Sequence, residues 1–155
     1  MKRVFTIPVL ILALTLVFSG AVLADTRTYV THLTGSEEVP ARDTLAQGQA
    51  IFRLSKDGTE LHYRLIVANI ENVTAAHIHL APAGMNGPVV APLYVSGPIS
   101  GRFSGVLAEG VITSLNGPLL GQPLSALITA IEDAGAYVNV HTTQFPGGEI
   151  RGQIR

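Results

Sequence analysis

Three of the five histidines in this 155-residue chain can be drawn to one point. His77 and His79 lie in the run Ala75-Ala-His-Ile-His79 and Leu80, and His141 lies in Ala136-Tyr-Val-Asn-Val-His-Thr142. Both runs alternate with period two, which is the signature of β-strands. Alternation puts His77 and His79 on one face, opposite Ala76, Ile78 and Leu80. It puts Tyr137, Asn139 and His141 on one face of the second strand, opposite Val138 and Val140. Two imidazoles two residues apart on a strand stand about 7 Å apart at Cβ, close enough to hold one ion. A third imidazole from a neighbouring strand completes a three-nitrogen set suited to copper or zinc. Tyr137 and Asn139 are then candidates to orient the imidazoles from behind. The alternative is a metal-free polar network, in which His77 and His79 hydrogen-bond to backbone or carboxylate groups and secure the loop at 81–88. A metal site requires the two strands to lie side by side. It also requires neutral imidazole, so affinity is expected to fall as pH drops through about 6.5.

Other residues carry less chemistry. Glu37 and Glu38 are adjacent and point apart, which reads as a solvated turn. Glu149 and Arg151 alternate with Ile150 and are expected to pair on a surface or half-buried face. Gly84, Gly87, Gly147 and Gly148 sit in turns, none in a strand-to-helix phosphate loop. No nucleophile motif of the hydrolases occurs. Asn72-Val-Thr74 is a glycosylation sequon, meaningful only in a eukaryotic host. No catalytic residue is assigned, and the balance leans away from an enzyme.

The chain opens Met1-Lys2-Arg3, runs almost purely apolar over 4–23, and reaches Val22-Leu23-Ala24 before Asp25. This reads as a signal peptide over 1–24, cleaved after Ala24, with the mature domain spanning 25–155. The expected location is secreted or periplasmic, with no membrane association after cleavage. Loss of Lys2 and Arg3 leaves eight basic against eleven acidic residues, a net charge of −3. That balance argues against nucleic acid as a partner. The chain has no cysteine. An exported protein of this kind stands on core packing, with or without a metal.

After Asp25 the patterning is β throughout. Strands are expected at 27–33, 49–55, 60–70, 74–80, 89–95 and 105–112, followed by two final strands around Pro146-Gly147-Gly148. Asp57-Gly58 marks a hairpin turn. Pro92 places the 89–95 strand at an edge. One helix is expected over 123–134, with Pro123 in its first turn and Gly135 at its C-terminal cap. The fold class is therefore all-β, an antiparallel Greek-key-like sandwich with one short helix. Its core is expected to hold Phe52, Leu54, Leu61, Tyr63, Leu65, Ile78, Val138, Val140 and Ile150.

Six blocks in order carry a family resemblance: Leu33-Thr-Gly-Ser-Glu-Glu-Val-Pro40, Gly48-Gln-Ala-Ile-Phe52, Ala75-Ala-His-Ile-His79, Gly84-Met-Asn-Gly-Pro-Val-Val90, Ala136-Tyr-Val-Asn-Val-His-Thr142 and Pro146-Gly-Gly-Glu-Ile-Arg-Gly-Gln153. The chain resembles the CHRD domain, named after chordin and found in many bacterial exported proteins. One departure is Ala41, where the family often has a second proline after Pro40. The resemblance implies a non-enzymatic binding or structural module of the cell envelope or exterior, its protein partner unknown. The His-x-His strand followed by a Val-x-Val-His strand is also loosely similar to copper-zinc superoxide dismutase. That likeness implies copper ligands at His77, His79 and His141 and, with them, redox activity. The zinc loop and the disulfide of that enzyme have no counterpart here.

Overall fold

The computed structural model describes residues 27–155. The expected signal segment lies outside the described residues. Eight strands form: β1 (Thr28–Thr34), β2 (Gln47–Leu54), β3 (Leu61–Glu71), β4 (Val73–Leu80), β5 (Val89–Tyr94), β6 (Arg102–Ile112), β7 (Ala136–Thr142) and β8 (Ile150–Gln153). They build one antiparallel sheet in the order β5-β4-β7-β8-β1-β2-β3-β6. The sheet curls so that its ends approach, giving an all-β, sandwich-to-barrel architecture. Tyr63 on β3 donates its hydroxyl to the Leu93 carbonyl of β5 at 2.7 Å and pins the two ends together. Among the described residues no helix is long and apolar enough to cross a membrane.

Local chemistry explains the elements. Asp57 accepts from the Thr59 backbone and from the Ser55 and Thr59 hydroxyls, and this fixes the turn between β2 and β3. β5 is an edge strand, as Pro92 required. β6 begins at Arg102, three residues before the expected Gly105. The reason is the length of β3, whose Ile70 and Glu71 still pair with Phe103 and Arg102.

The helix α1 (Leu124–Glu132) presents Leu124, Leu127, Ile128 and Ile131 to the core. Its ends differ from expectation. Pro123 is extended and precedes the helix, and Ala134, not Gly135, takes the left-handed conformation at φ 54°. The Gly135 and Ala134 N–H groups donate to the Ala130 and Ile131 carbonyls at 2.7 and 2.9 Å. That pair of bonds closes the last turn whichever residue bears the positive φ.

The interior is the apolar side of every period-two pattern. Phe52, Leu61, Leu65, Ile78, Val138, Val140 and Ile150 are fully buried, and Leu54 and Tyr63 pack half-buried against them. Leu65→Ala is expected to lower the unfolding free energy by roughly 2–5 kcal/mol, because a buried leucine leaves a cavity. Urea denaturation checks this, and an unchanged midpoint would mean that β3 is one residue out of register.

Candidate functional site

Tyr137, Asn139 and His141 point away from that interior, as do His77 and His79. β4 and β7 are direct neighbours, with His79 opposite Tyr137, His77 opposite Asn139 and Ala75 opposite His141. The adjacency that a shared site requires is therefore present. One nitrogen from each of His77, His79 and His141 falls within 4.8 Å of the others. The ring centroids are 5.0 Å apart for His77 and His141, 5.8 Å for His77 and His79, and 5.9 Å for His79 and His141. His79 is buried, while His77 and His141 are half-exposed and open the cluster to solvent.

Backbone carbonyls set the tautomers. His79 donates from Nδ1 to the Gly87 carbonyl at 2.9 Å, and His141 donates from Nδ1 to the Pro146 carbonyl at 2.9 Å. Each Nε2 is thereby left as a lone pair. The His141 lone pair faces Nδ1 of His77 at 3.1 Å. The His79 lone pair is buried and has no partner. An unsatisfied buried acceptor is costly, and this one faces the histidine cluster. Burial, the first cause in each case, pushes all three imidazoles below the usual histidine range, and with neighbouring imidazoles it takes His77 down to about 4. The cluster is neutral at physiological pH, the state that binds metal.

The remaining histidines are elsewhere. His62 is exposed and contacts Glu60 at 3.0 Å, and His32 is exposed on β1.

Tyr137 and Asn139 do different jobs. Tyr137 stacks on His79, with centroids 4.9 Å apart and planes 13° apart. Its hydroxyl accepts the Gly87 N–H at 3.1 Å. Gly87 thus grips both residues, and a side chain there would collide with the Leu80 carbonyl. Asn139 reaches no imidazole. It donates from Nδ2 to Glu38 Oε2 at 3.3 Å.

Glu38 is a correction to the sequence reading. It is not solvated but 5 % exposed, because the segment after β1 folds back over the outer face of the sheet. Asn86 ties that segment to the 81–88 loop by donating to the Val39 carbonyl at 2.9 Å. Burial raises the Glu38 carboxyl to about 7, against the opposing pull of Arg151, Asn139 and Arg42. Glu38 Oε1 and Asn139 Oδ1 are both buried without partners. A proton on the acid would supply a donor where both oxygens are acceptors.

Glu149 and Arg151 are a second correction. Both are buried and they do not pair. Glu149 accepts from the Thr44 hydroxyl at 2.7 Å, and Arg151 lies over the Tyr137 ring, its Cζ 3.4 Å from the centroid.

The Glu38 proton has a measurable consequence. With a folded value near 7 and an unfolded value near 4.5, the folded state holds the extra proton between these pH values. Stability contributed by Glu38 is present below about 4.5 and is lost as pH rises to 7. Glu38→Gln removes this slope and is expected to be more stable than the parent at pH 8, by about 2–3 kcal/mol. Urea titrations at pH 5 and 8 test it. A destabilised variant at pH 8 would mean that Glu38 is an ionised partner of Arg151.

No curated protein and no solved structure matched the chain. The likeness to the dismutases therefore rests on the histidine pattern alone. The CHRD domain family matches residues 29–154, nearly all of the described chain. With its six motif blocks now placed on this sheet and its loops, the chain belongs to the CHRD domain family.

Proposed function

We propose that this CHRD protein is exported and non-enzymatic, and that it binds one metal ion, copper before zinc, through His77, His79 and His141. The observation that carries the reading is the convergence of three neutral imidazoles within 4.8 Å, one of them with a buried, unpartnered lone pair. Three nitrogens around a tetrahedral ion at 2.0–2.1 Å stand roughly 3.3 Å apart, so modest ring rotations close the set. Hydrogen bonds from Nδ1 of His79 and His141 to backbone carbonyls supply the outer support that metal-bound histidines need. The partly exposed His77 and His141 would leave the fourth position of such an ion toward solvent. The apolar segment over 4–23 and the Val22-Leu23-Ala24 site support export and a mature chain from Asp25.

Metal content of untagged protein decides the matter. About one copper or zinc per chain is expected in the parent, and loss of it in His77→Ala. Equal metal content in the two would refute the site. A second reading has its own observation, the 3.1 Å contact between His77 and His141, which satisfies both rings without an ion. In that case the histidines are structural, and the domain is an exterior binding module for a protein partner.

A further inference from the structure

Arg151 heads the fully buried side chains by volume, at 1 % exposure. Among the described residues no carboxylate lies within ion-pair distance of it. Its Nη1 donates to Asn86 Oδ1 at 3.3 Å and its Nη2 to the Pro82 carbonyl at 3.1 Å. β7 lies between β4 and β8, so Tyr137 separates Arg151 from His79. Guanidinium, phenol and imidazole form one column that ends at the histidine cluster. A buried cation without a counter-ion is costly. A neutral amide on β8 could latch the 81–88 loop without that cost. It could not project a positive charge toward the histidines.

We infer that Arg151 selects the charge of the ion the histidines accept, favouring monovalent copper over divalent copper or zinc. This rests on the metal reading above. Three imidazoles bring no negative charge, so a divalent ion would add two positive charges beside a third. The penalty grows with the charge of the ion. At ~8 Å and an effective dielectric of ~20, one extra unit of charge is worth roughly ten-fold or more in affinity. Glu38 is the acid packed nearby, and burial keeps it from cancelling the charge below neutral pH.

The test compares affinities for copper(I), by anaerobic competition with a chromogenic chelator, and for zinc(II), both at pH 6.5. Arg151→Gln should shift the copper(I)-to-zinc(II) affinity ratio toward zinc by roughly ten-fold, and Arg151→Lys should hold the parental ratio. Asn86→Asp leaves Arg151 in place but sets a carboxylate against it, and should shift the ratio in the same direction as Arg151→Gln. If both charge-cancelling variants keep the parental ratio, or lose affinity for both ions equally, Arg151 is only a latch and the inference falls. If the parent binds neither ion, the metal reading itself falls, and that result is distinct from an unchanged ratio.

Discussion

Adding copper or zinc to the metal-free protein is expected to raise its melting temperature by about 10 °C. Metal at one hundred times its Kd contributes ~2.7 kcal/mol to the folded state, and a domain of this size converts that to a shift of this order. The gain is large because the ligands are brought together only by folding, with His141 lying 64 positions after His77. His79→Ala should abolish the shift, while His62→Ala, on an exposed position of β3, should keep all of it. The pH profile differs from that of an ordinary histidine. Burial holds His77 near 4 and lowers the other two, so proton competition sets in below the ordinary 6.5. Affinity should hold from pH 8 to about 6 and fall toward pH 4. The metal-free fold also weakens over that acid range, since the unfolded chain takes up protons that the folded chain refuses. Scanning calorimetry with and without metal checks each point, and an unshifted transition at large metal excess would remove the metal site.

Gly152→Ala should be close to unfolding. A Cβ there would run into the carbonyl oxygen of His32 and the Thr31 hydroxyl, and would lie 2.7 Å from the His32 carbonyl carbon. These are neighbouring-strand atoms at the β8–β1 junction, where the two strands join through Thr34 and Arg151 and through the reciprocal backbone bonds of Val30 and Arg155. Backbone cannot swing aside as a flexible side chain can. The expected loss exceeds 4 kcal/mol, much of the stability of an ordinary domain. Gly58→Ala is the control. It shares the glycine-to-alanine change at φ 73° but meets nothing within 4 Å, so it should lose only about 1 kcal/mol. Comparable melting temperatures for the two variants would show that β1 and β8 do not approach as described.

Period-two alternation made the strands, their inward residues and the shared face of the histidines legible. It could not place Glu38 or Arg151. Alternation assigns a residue to one of two sheet faces, and it is silent on whether the outer face is roofed. Here the segment after β1 and the 81–88 loop cover that face, and they turn an apparent solvated turn and an apparent surface pair into buried polar groups. The helix cap escaped for a similar reason. Gly135 is the residue that local propensity favours for a left-handed turn, yet the bonds to Ala130 and Ile131 put Ala134 there. The adjacency of β4 and β7 also lay beyond periodicity, because nothing in either run encodes its neighbour.

The strand order carries a consequence for timing. β8, the last strand, is inserted between β7 and β1, the first. Until β8 is in place, β1 lacks one neighbour, β7 lacks another, and the sheet stays open in the middle. Pairings this distant in sequence form slowly and late. On the metal reading, an ion can be captured only once β4 and β7 have paired, so the metal supply where the chain folds, and not the affinity series alone, decides which ion is found.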